Sequence, residues 1–571
     1  MGSIGRALSC LALLVLLAPR LCSGEERIDG QVLSSGQPVQ QAVVRIQGRE
    51  TSVLSDDKGK FTLLLASHPA GSIYVSAGHE GFYNNRVLWK PGTPAIIDLT
   101  PLPNQDNTSY DWQEPKPNSA QADNCGNCHT EIYQQWSRDA HSEAASNPIL
   151  MTMYTGADAQ GHPNQGPGYR RDWNDFGNCS TCHAPTAALA NEMKANLQQL
   201  EPKQREGVLC DFCHKIQSVP EAGSSPNVGD LQFLRPVSGN KLLFGPFPDA
   251  TFPEEIPDFS YSPLFKSSRL CASCHEGQFW GVPAYETFSE WAQSRYARAG
   301  IQCQGCHMRP TGMMDHFTDV EKGGKIRNPA TIAYHGMMGL DRDEFIRQAV
   351  DMKISTSVDN GLLTVKVTIA NAAAGHKFPT GQPMRNAIFT VEATDQSGRP
   401  LRLVSGERVP IWGGSGKEAN DYAGLPGKGF AKVLETLSEY QKVTIVSEKQ
   451  SLAEFPAPMW RKTRIKFDNR IAPDGEDEST YVFLIPSGAQ KIQLNSRLVY
   501  RRAFKPLTDA KHWDLSDLLL SAKHLALTPG EGRVIESRSE PADPKSCLME
   551  KDCGATTSVS ATAPAGRSSL R

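Results

Sequence analysis

Between residues 27 and 100 apolar and polar side chains alternate in short runs, as in Val43-Val44-Arg45-Ile46 and Phe61-Thr62-Leu63-Leu64-Leu65, with turn signals such as Asp57-Lys58-Gly59 and Pro91-Gly92 between them. A period of two puts every second side chain on one face, so these runs predict the strands of a small β-sandwich. Residues 101–120, rich in Pro, Asn, Gln and Ser, break the pattern and predict a linker. The spacing then becomes helical: Tyr133 and Trp136 follow His129 by four and seven positions, which predicts a helical segment from His129 to Ala140. From residue 350 strand-like runs return, most clearly Leu362 to Ile369 and Ala387 to Ala393, and predict a second, larger β-rich domain over 350–535. Residues 536–571 are too polar to bury a core and predict a disordered tail.

The first 24 residues change the picture of where the chain works. Arg6 precedes an apolar run from Ala7 to Ala18, followed by Pro19 and the small pair Ser23 and Gly24, the layout of a secretory signal peptide over residues 1–24. That apolar run is too short to cross a bilayer, and no other stretch of about 18 apolar residues exists. A secreted chain, periplasmic or extracellular, without a transmembrane segment after cleavage, is therefore expected; a retained N-terminal anchor is the competing reading. With 571 residues, 39% hydrophobic and 21% charged, the chain is long enough for several globular domains. A formal net charge of -3 argues against nucleic acid or a polyanionic surface as partner, because those need a concentrated basic field.

The cysteines carry the chemistry. Of 14, Cys10 and Cys22 lie in the leader, Cys547 and Cys553 in the tail, where they can close a small disulfide, and ten form five C-x-x-C-H motifs. These are Cys125-Cys128-His129, Cys179-Cys182-His183, Cys210-Cys213-His214, Cys271-Cys274-His275 and Cys303-Cys306-His307. Two thiols three positions apart can each add to a haem vinyl group, and the adjacent imidazole then becomes the proximal iron ligand. Zinc sites and disulfides are the rival readings, but neither explains a histidine directly after every pair. Five motifs predict five covalently attached haems c. They occupy 125 to 307, about 37 residues per haem, below the roughly 40 that make an independent core, so the haems must supply core themselves and lie close together. First cysteines are spaced 54, 31, 61 and 32 apart, which predicts that motifs two and three, and four and five, form the closer pairs.

A second axial ligand decides between carrier and catalyst, because a bis-histidine haem only passes electrons whereas an open position binds substrate. Nine histidines lie outside the motifs: His68, His79, His141, His162, His316, His335, His376, His512 and His524. His141 follows the helical segment whose aromatics should pack on a haem. His376 sits in the Gly- and Pro-bracketed loop Asn371 to Gly381 between two strand-like runs, where it would carry a ligand from the β-rich domain. His335 and His316 come soon after the last motif among methionines and aromatics, and His162 precedes Pro163 in a loop-like stretch. These five are the candidate distal ligands; His512 and His524 read as structural. Met308, Met313, Met314, Met337 and Met338 cluster near the fifth motif, where core filling is the commoner use.

The stretch from Cys125 to about Pro383 resembles the multihaem cytochrome c superfamily that holds cytochrome c nitrite reductase, octahaem hydroxylamine oxidoreductase and the tetrahaem cytochrome of ammonia oxidisers. The likeness rests on Cys128-His129 with Glu131, Tyr133, Trp136 and His141, on Asn178-Cys179 through Pro185, on Gly207 through His214 and on Gly300 through Met308. It implies a mainly helical haem domain with stacked and perpendicular haem pairs. No C-x-x-C-K motif of the nitrite reductases occurs, and no cross-linking tyrosine of hydroxylamine oxidoreductase is recognisable, so the resemblance does not carry catalysis. The order of strands and turns in 27–100 resembles the carboxypeptidase regulatory-like, transthyretin-like domain, a module without chemistry of its own.

The expected architecture is thus multidomain: a mainly α pentahaem cytochrome c core over 121–349, flanked by an N-terminal β-sandwich and a C-terminal β-rich domain. The expected function is electron transfer through five haems to or from a redox protein or an extracellular acceptor. Two alternatives stay open: an oxidoreductase with one open haem acting on a small nitrogen or sulfur compound, and a subunit of a cell-surface cytochrome assembly or filament.

Overall fold

A computed structural model describes residues 27–65, 72–220, 227–251, 258–339, 342–414, 421–436, 456–530 and 534–540. The leader, His68 and the Cys547/Cys553 pair lie outside the described residues. The chain divides into two compact units.

The first unit holds the chain up to Leu102 together with Phe247–Tyr261. Its strands are β1 (Arg27–Ser34), β2 (Gln37–Pro38), β3 (Val43–Ile46), β4 (Ser52–Leu54), β5 (Lys60–Leu64), β6 (Ile73–Gly78), β7 (Asn85–Trp89) and β8 (Ala95–Asp98). They form two four-stranded sheets: β2-β1-β5 with β8 parallel to β1, and β4-β3-β6-β7. The alternation in the sequence is the burial pattern observed. On β5 Phe61 and Leu63 point inward and Lys60, Thr62 and Leu64 outward, and one core gathers Ile28, Val32, Val44, Val75 and Ile97 from both sheets.

Segment 247–261 joins this unit through polar groups that no periodicity reveals. Asn84 uses its whole amide: Nδ2 donates to the carbonyls of Phe247 and Ala250, at 3.0 Å each, and Oδ1 accepts from the Tyr261 N–H at 2.9 Å. Buried Asp249 pairs with the Arg45 guanidinium and accepts from the Gly48 N–H at 2.7 Å. A buried charge is tolerable only when partnered in this way.

In the second unit, residues 103–120 lack regular secondary structure, as their composition predicts, yet they are packed down. Asp106 pairs with Arg235, and Trp112 lies against Phe212 and Phe233 at ring distances of 6.2 and 6.1 Å. The region of the five motifs holds short helices, the longest being Pro148–Thr155, capped by the Asn147 side chain at its start and by left-handed Gly156 at its end, and between them short two-stranded ladders such as Gly277–Phe279 with Val282–Tyr285, so it is less helical than expected. The segment expected over 129–140 is an α-helix only at Thr130–Trp136, and His141 follows in turns. Helices this short do not stand alone in water, so tertiary packing must hold them.

The C-terminal part is two antiparallel sheets. One has the order Val350–Asp359, Leu362–Asn371, Glu476–Leu484, Arg402–Ser405; the other runs Thr463–Asp468, Gly427–Thr436, Asn386–Asp395, Ile492–Arg501, Leu518–Leu527, Val534–Glu540. Leu363, Val365, Val367, Tyr481 and Phe483 of the first share one core with Phe389, Val391, Leu494 and Leu498 of the second. The loop between Leu362–Asn371 and Asn386–Asp395 leaves this sandwich and carries His376.

Candidate haem-binding site

Each thiol pair sits on a single helical turn: Cys125–Asn127 with the turn after it, and Cys179–His183, Cys210–His214, Arg269–His275 and Cys303–His307 as α-helical turns. The i, i+3 spacing puts both sulfurs on one face of such a turn, as double thioether attachment requires.

Four of the five motif histidines are held by a carbonyl. Nδ1 donates from His129 to Phe317 O at 2.7 Å, from His183 to Ala144 O at 3.0 Å, from His214 to Phe244 O at 2.6 Å and from His307 to Met338 O at 2.5 Å. Tying Nδ1 fixes the ring and leaves Nε2 as the lone-pair nitrogen, which is how protein scaffolds orient a metal-binding imidazole. Burial lowers the proton affinity of all four, and pushes His275 down to about 3, where neighbouring His141 adds to the effect. Burial thus favours the neutral ring, the form that can bind a metal.

Two candidate distal histidines stand opposite motif histidines at an informative distance. Ring centroids of His141 and His275 are 6.1 Å apart, and those of His307 and His376 are 6.4 Å apart with the rings 21° from parallel. A metal lies about 2.0 Å from an imidazole nitrogen and the ring centre about 1.1 Å beyond it, so two trans imidazoles place centroids about 6.2 Å apart. The donor set and the gap between each pair therefore fit a haem iron.

Local hydrogen bonds aim both rings. Asp139, buried, accepts the His141 Nδ1–H at 2.6 Å and the His141 backbone N–H at 2.9 Å. The His376 loop is pinned by Asn371, whose Nδ2 donates to His376 O at 2.7 Å, and by Glu290, which accepts from Lys377 N–H at 3.2 Å and the Thr380 hydroxyl at 2.6 Å. Arg470 pairs with that same Glu290 at 2.7 Å. Burial then pushes His376 down to about 4, with His307 second among the causes.

His335 is half-buried, and desolvation first and then His214 push it down to about 4; its Nδ1 donates to Ala333 O at 3.0 Å and its N–H to Gln135 Oε1 at 2.9 Å. It therefore belongs to the third motif's surroundings. His316 donates to Asp315 at 2.6 Å and stands beside Phe317, whose carbonyl holds His129. His162 is placed elsewhere. Its side chain is 66% exposed, and its Nδ1 donates to buried Asp158 at 2.9 Å; His512 does the same at 2.8 Å. The Asx-type loop from Asp158 to His162, in which Oδ1 also accepts the His162 N–H, turns the ring to solvent rather than toward a motif histidine. Among the methionines, Met313 is 82% exposed, Met314 is buried beside Gln135, and Met338 meets His307 through its backbone, its carbonyl accepting Nδ1–H and its N–H donating to His307 O at 2.9 Å.

The thiols show which motifs are neighbours. Cys210 is within hydrogen-bonding reach of Cys125, Cys182 of Cys274, and Cys271 of Cys303. Motif one thus adjoins motif three, motif two adjoins motif four, and motif four adjoins motif five. The thiols of motifs four and five are thus neighbours, and motif two meets motif four where the turns Cys179–His183 and Arg269–His275 pack together. Sequence reasoning also missed Asp139, the four carbonyl acceptors and Tyr285, which touches Cys182 and lies near Cys274. Only Asp139, two positions from His141, left a trace in the sequence.

Residues 124–215, which span the first three motifs, match the family described as cytochrome c554 and c-prime. Among solved structures the chain is similar to a penta-heme cytochrome c552 from Thermochromatium tepidum, at 22% identity over 70% of this chain and 96% of that one, with a TM-score of 0.49. No curated protein matches. Repeated attachment turns, imidazoles held in the ligand form and the matching of 124–215 to a c-type family lead to one conclusion: the chain is a multihaem c-type cytochrome that works in electron transfer.

Proposed function

We propose that the protein binds five haems c, one at each C-x-x-C-H motif, and passes electrons among them outside the cytoplasm, periplasmic or secreted. The observation that carries this reading is the pair of imidazole couples, His141/His275 and His307/His376, each spaced for an iron between them. Covalent haem supplies one-electron exchange at iron; the chain's own part is to set ligands, burial and neighbours. The contacts between thiols of motifs one and three, two and four, and four and five, together with Cys213 of motif three in one cluster with Cys274 of motif four, support a branched row with motif four as the junction. The leader Arg6 to Gly24 supports export, and no helix among the described residues is long and apolar enough to cross a membrane. The partner on this reading is a redox protein or an extracellular acceptor, with no role for nucleic acid.

The test is the mass and haem content of the purified mature protein. Five haem masses on a chain shortened by the leader are expected; a colourless protein, or a mass of polypeptide alone, overturns the reading.

One observation favours a second reading, an oxidoreductase with an open haem. Among the described residues outside the motifs, His162 and His512 turn 66% and 53% exposed side chains to solvent, His79 bonds the Glu80 carbonyl and His524 bonds Asn495, which leaves His141, His316, His335 and His376 for five irons. A high-spin ferric signal that shifts with nitrite, hydroxylamine or cyanide would support it; a wholly low-spin, unresponsive spectrum would exclude it.

A further inference from the structure

The hairpin Gly277–Phe279 and Val282–Tyr285 closes through Trp280 and Gly281, both with positive φ, 57° and 76°. A two-residue loop of this kind takes Asn or Asp at its first position, because a bulky side chain is strained there. Trp280 is moreover 53% exposed. Both features cost stability, and neither helps the hairpin form, so local folding does not account for the indole.

Its surroundings do. Trp280 stacks on Trp173 at 5.3 Å and 27°, and the two indole N–H groups donate to one carbonyl, Trp460 O, at 3.0 Å each. The pair is locked, with little side-chain entropy left to lose on binding. Phe176, three residues after Trp173, is 41% exposed and carries the Arg170 guanidinium 4.8 Å over its ring. Arg171 precedes Trp173 on the same helical turn.

This surface adjoins the second motif. Phe176 precedes Cys179 by three residues, a span of at most about 11 Å. Inward, the Trp460 ring meets Tyr169 at 6.1 Å, Tyr169 stacks on Tyr154 at 6.2 Å, and Tyr169 packs so closely on Gly177 that a Cβ there would lie 2.2 Å from it. The far end of the hairpin, Tyr285, touches Cys182.

We propose that the Trp173–Trp280 pair is a stacking platform for a planar, anionic, redox-active ring system of the flavin or quinone class, which exchanges electrons with the haem of the second motif. The inference rests on the haem reading above. A protein partner fits less well: the exposed parts of Trp280 and Phe176 come to on the order of 200 Å², about a quarter of what one side of a stable protein interface buries. A flat ring laid on one indole face fits that area, and Arg170 over Phe176 favours the anion, whereas Arg171 is held by Asp172 and the Gly166 carbonyl. In the exchange two ferrous irons become ferric, and the ring takes those two electrons with two protons from solvent.

Equilibrium dialysis of the haem-loaded full chain against riboflavin 5′-phosphate and anthraquinone-2,6-disulfonate tests this, with stopped-flow reoxidation of the reduced protein by each probe and by ferricyanide. Saturable binding is expected, weakened at least tenfold by Trp280→Ala and within threefold of wild type for Trp280→Phe, which keeps a ring at the same turn. Ferricyanide reoxidation and the haem spectrum should not change in either variant. Unchanged binding in Trp280→Ala, or equal loss in both variants, overturns the platform. Absence of haem from the wild-type protein is a separate result and overturns the underlying reading instead.

Discussion

The imidazoles of His307 and His376 lie 6.4 Å apart and 21° from parallel, although 69 residues and a change from helical turn to β-loop separate them in the chain. The loop that brings them together is held by Asn371 and by Glu290, so the second partner is set by the β-rich part of the fold and not by the motif itself.

Replacing His376 by Gly should therefore leave haem attachment intact and open one coordination position. One haem's worth of high-spin ferric signal is expected by electron paramagnetic resonance, with cyanide or added imidazole returning it to low spin. An unchanged low-spin spectrum would show that His376 does not face the iron.

Asp139 acts on His141 at one remove. Its carboxylate accepts Nδ1–H at 2.6 Å, and loss of such an outer partner typically weakens a metal–histidine bond about 10- to 100-fold. Asp139→Asn is expected to give a partial high-spin signal that grows with temperature, where His141→Gly gives a full one. Identical low-spin spectra for Asp139→Asn and wild type would remove Asp139 from the site.

In the first unit, Asp249→Ala would strand the buried Arg45 guanidinium. Breaking a buried pair from one side costs about 3–5 kcal/mol, whereas replacing both members by apolar residues is often neutral. The expected result is loss of hydrogen-exchange protection along Phe247–Tyr261 in Asp249→Ala, with much of it regained in Arg45→Met/Asp249→Leu. Equal protection in the single variant and wild type would contradict the anchoring role.

The two kinds of information in this chain were legible to different degrees, for physical reasons. Strands such as Val43–Ile46 and Leu362–Asn371 announce themselves because half-buried sheets need alternation, and the attachment turns because thioether chemistry needs specific side chains at fixed spacing. The acceptors for four motif histidines are peptide carbonyls, which every residue has, so Phe244 or Met338 carries no signal of its role. The neighbour order of the motifs was hidden as well. Short separation along the chain suggests a contact between motifs two and three, while tertiary packing sets Cys182 against Cys274. His162 differs because a histidine in a loop looks the same in sequence whether the loop turns its ring inward or leaves it 66% exposed, as here.

Lys511 offers a test of the fold by pH. It is fully buried, and its ammonium donates to the carbonyls of Thr152 at 2.9 Å and Ala157 at 3.0 Å; burial first, and then Arg171, pushes its pKa down to about 8. An unfolded lysine titrates near 10.4. Below pH 8 both states are protonated and the full cost of burying the charge is present. Between about 8 and 10.4 the unfolded chain binds more protons than the folded one, so this group's contribution to stability rises with pH, by roughly 3 kcal/mol at most. Other groups titrate in the same window, so the informative quantity is the difference between wild type and Lys511→Met in urea midpoint at pH 7.5, 9 and 10.5. That difference should move in favour of wild type as pH rises; a flat difference would mean that Lys511 keeps its proton in the folded state, with its two carbonyl partners compensating the burial.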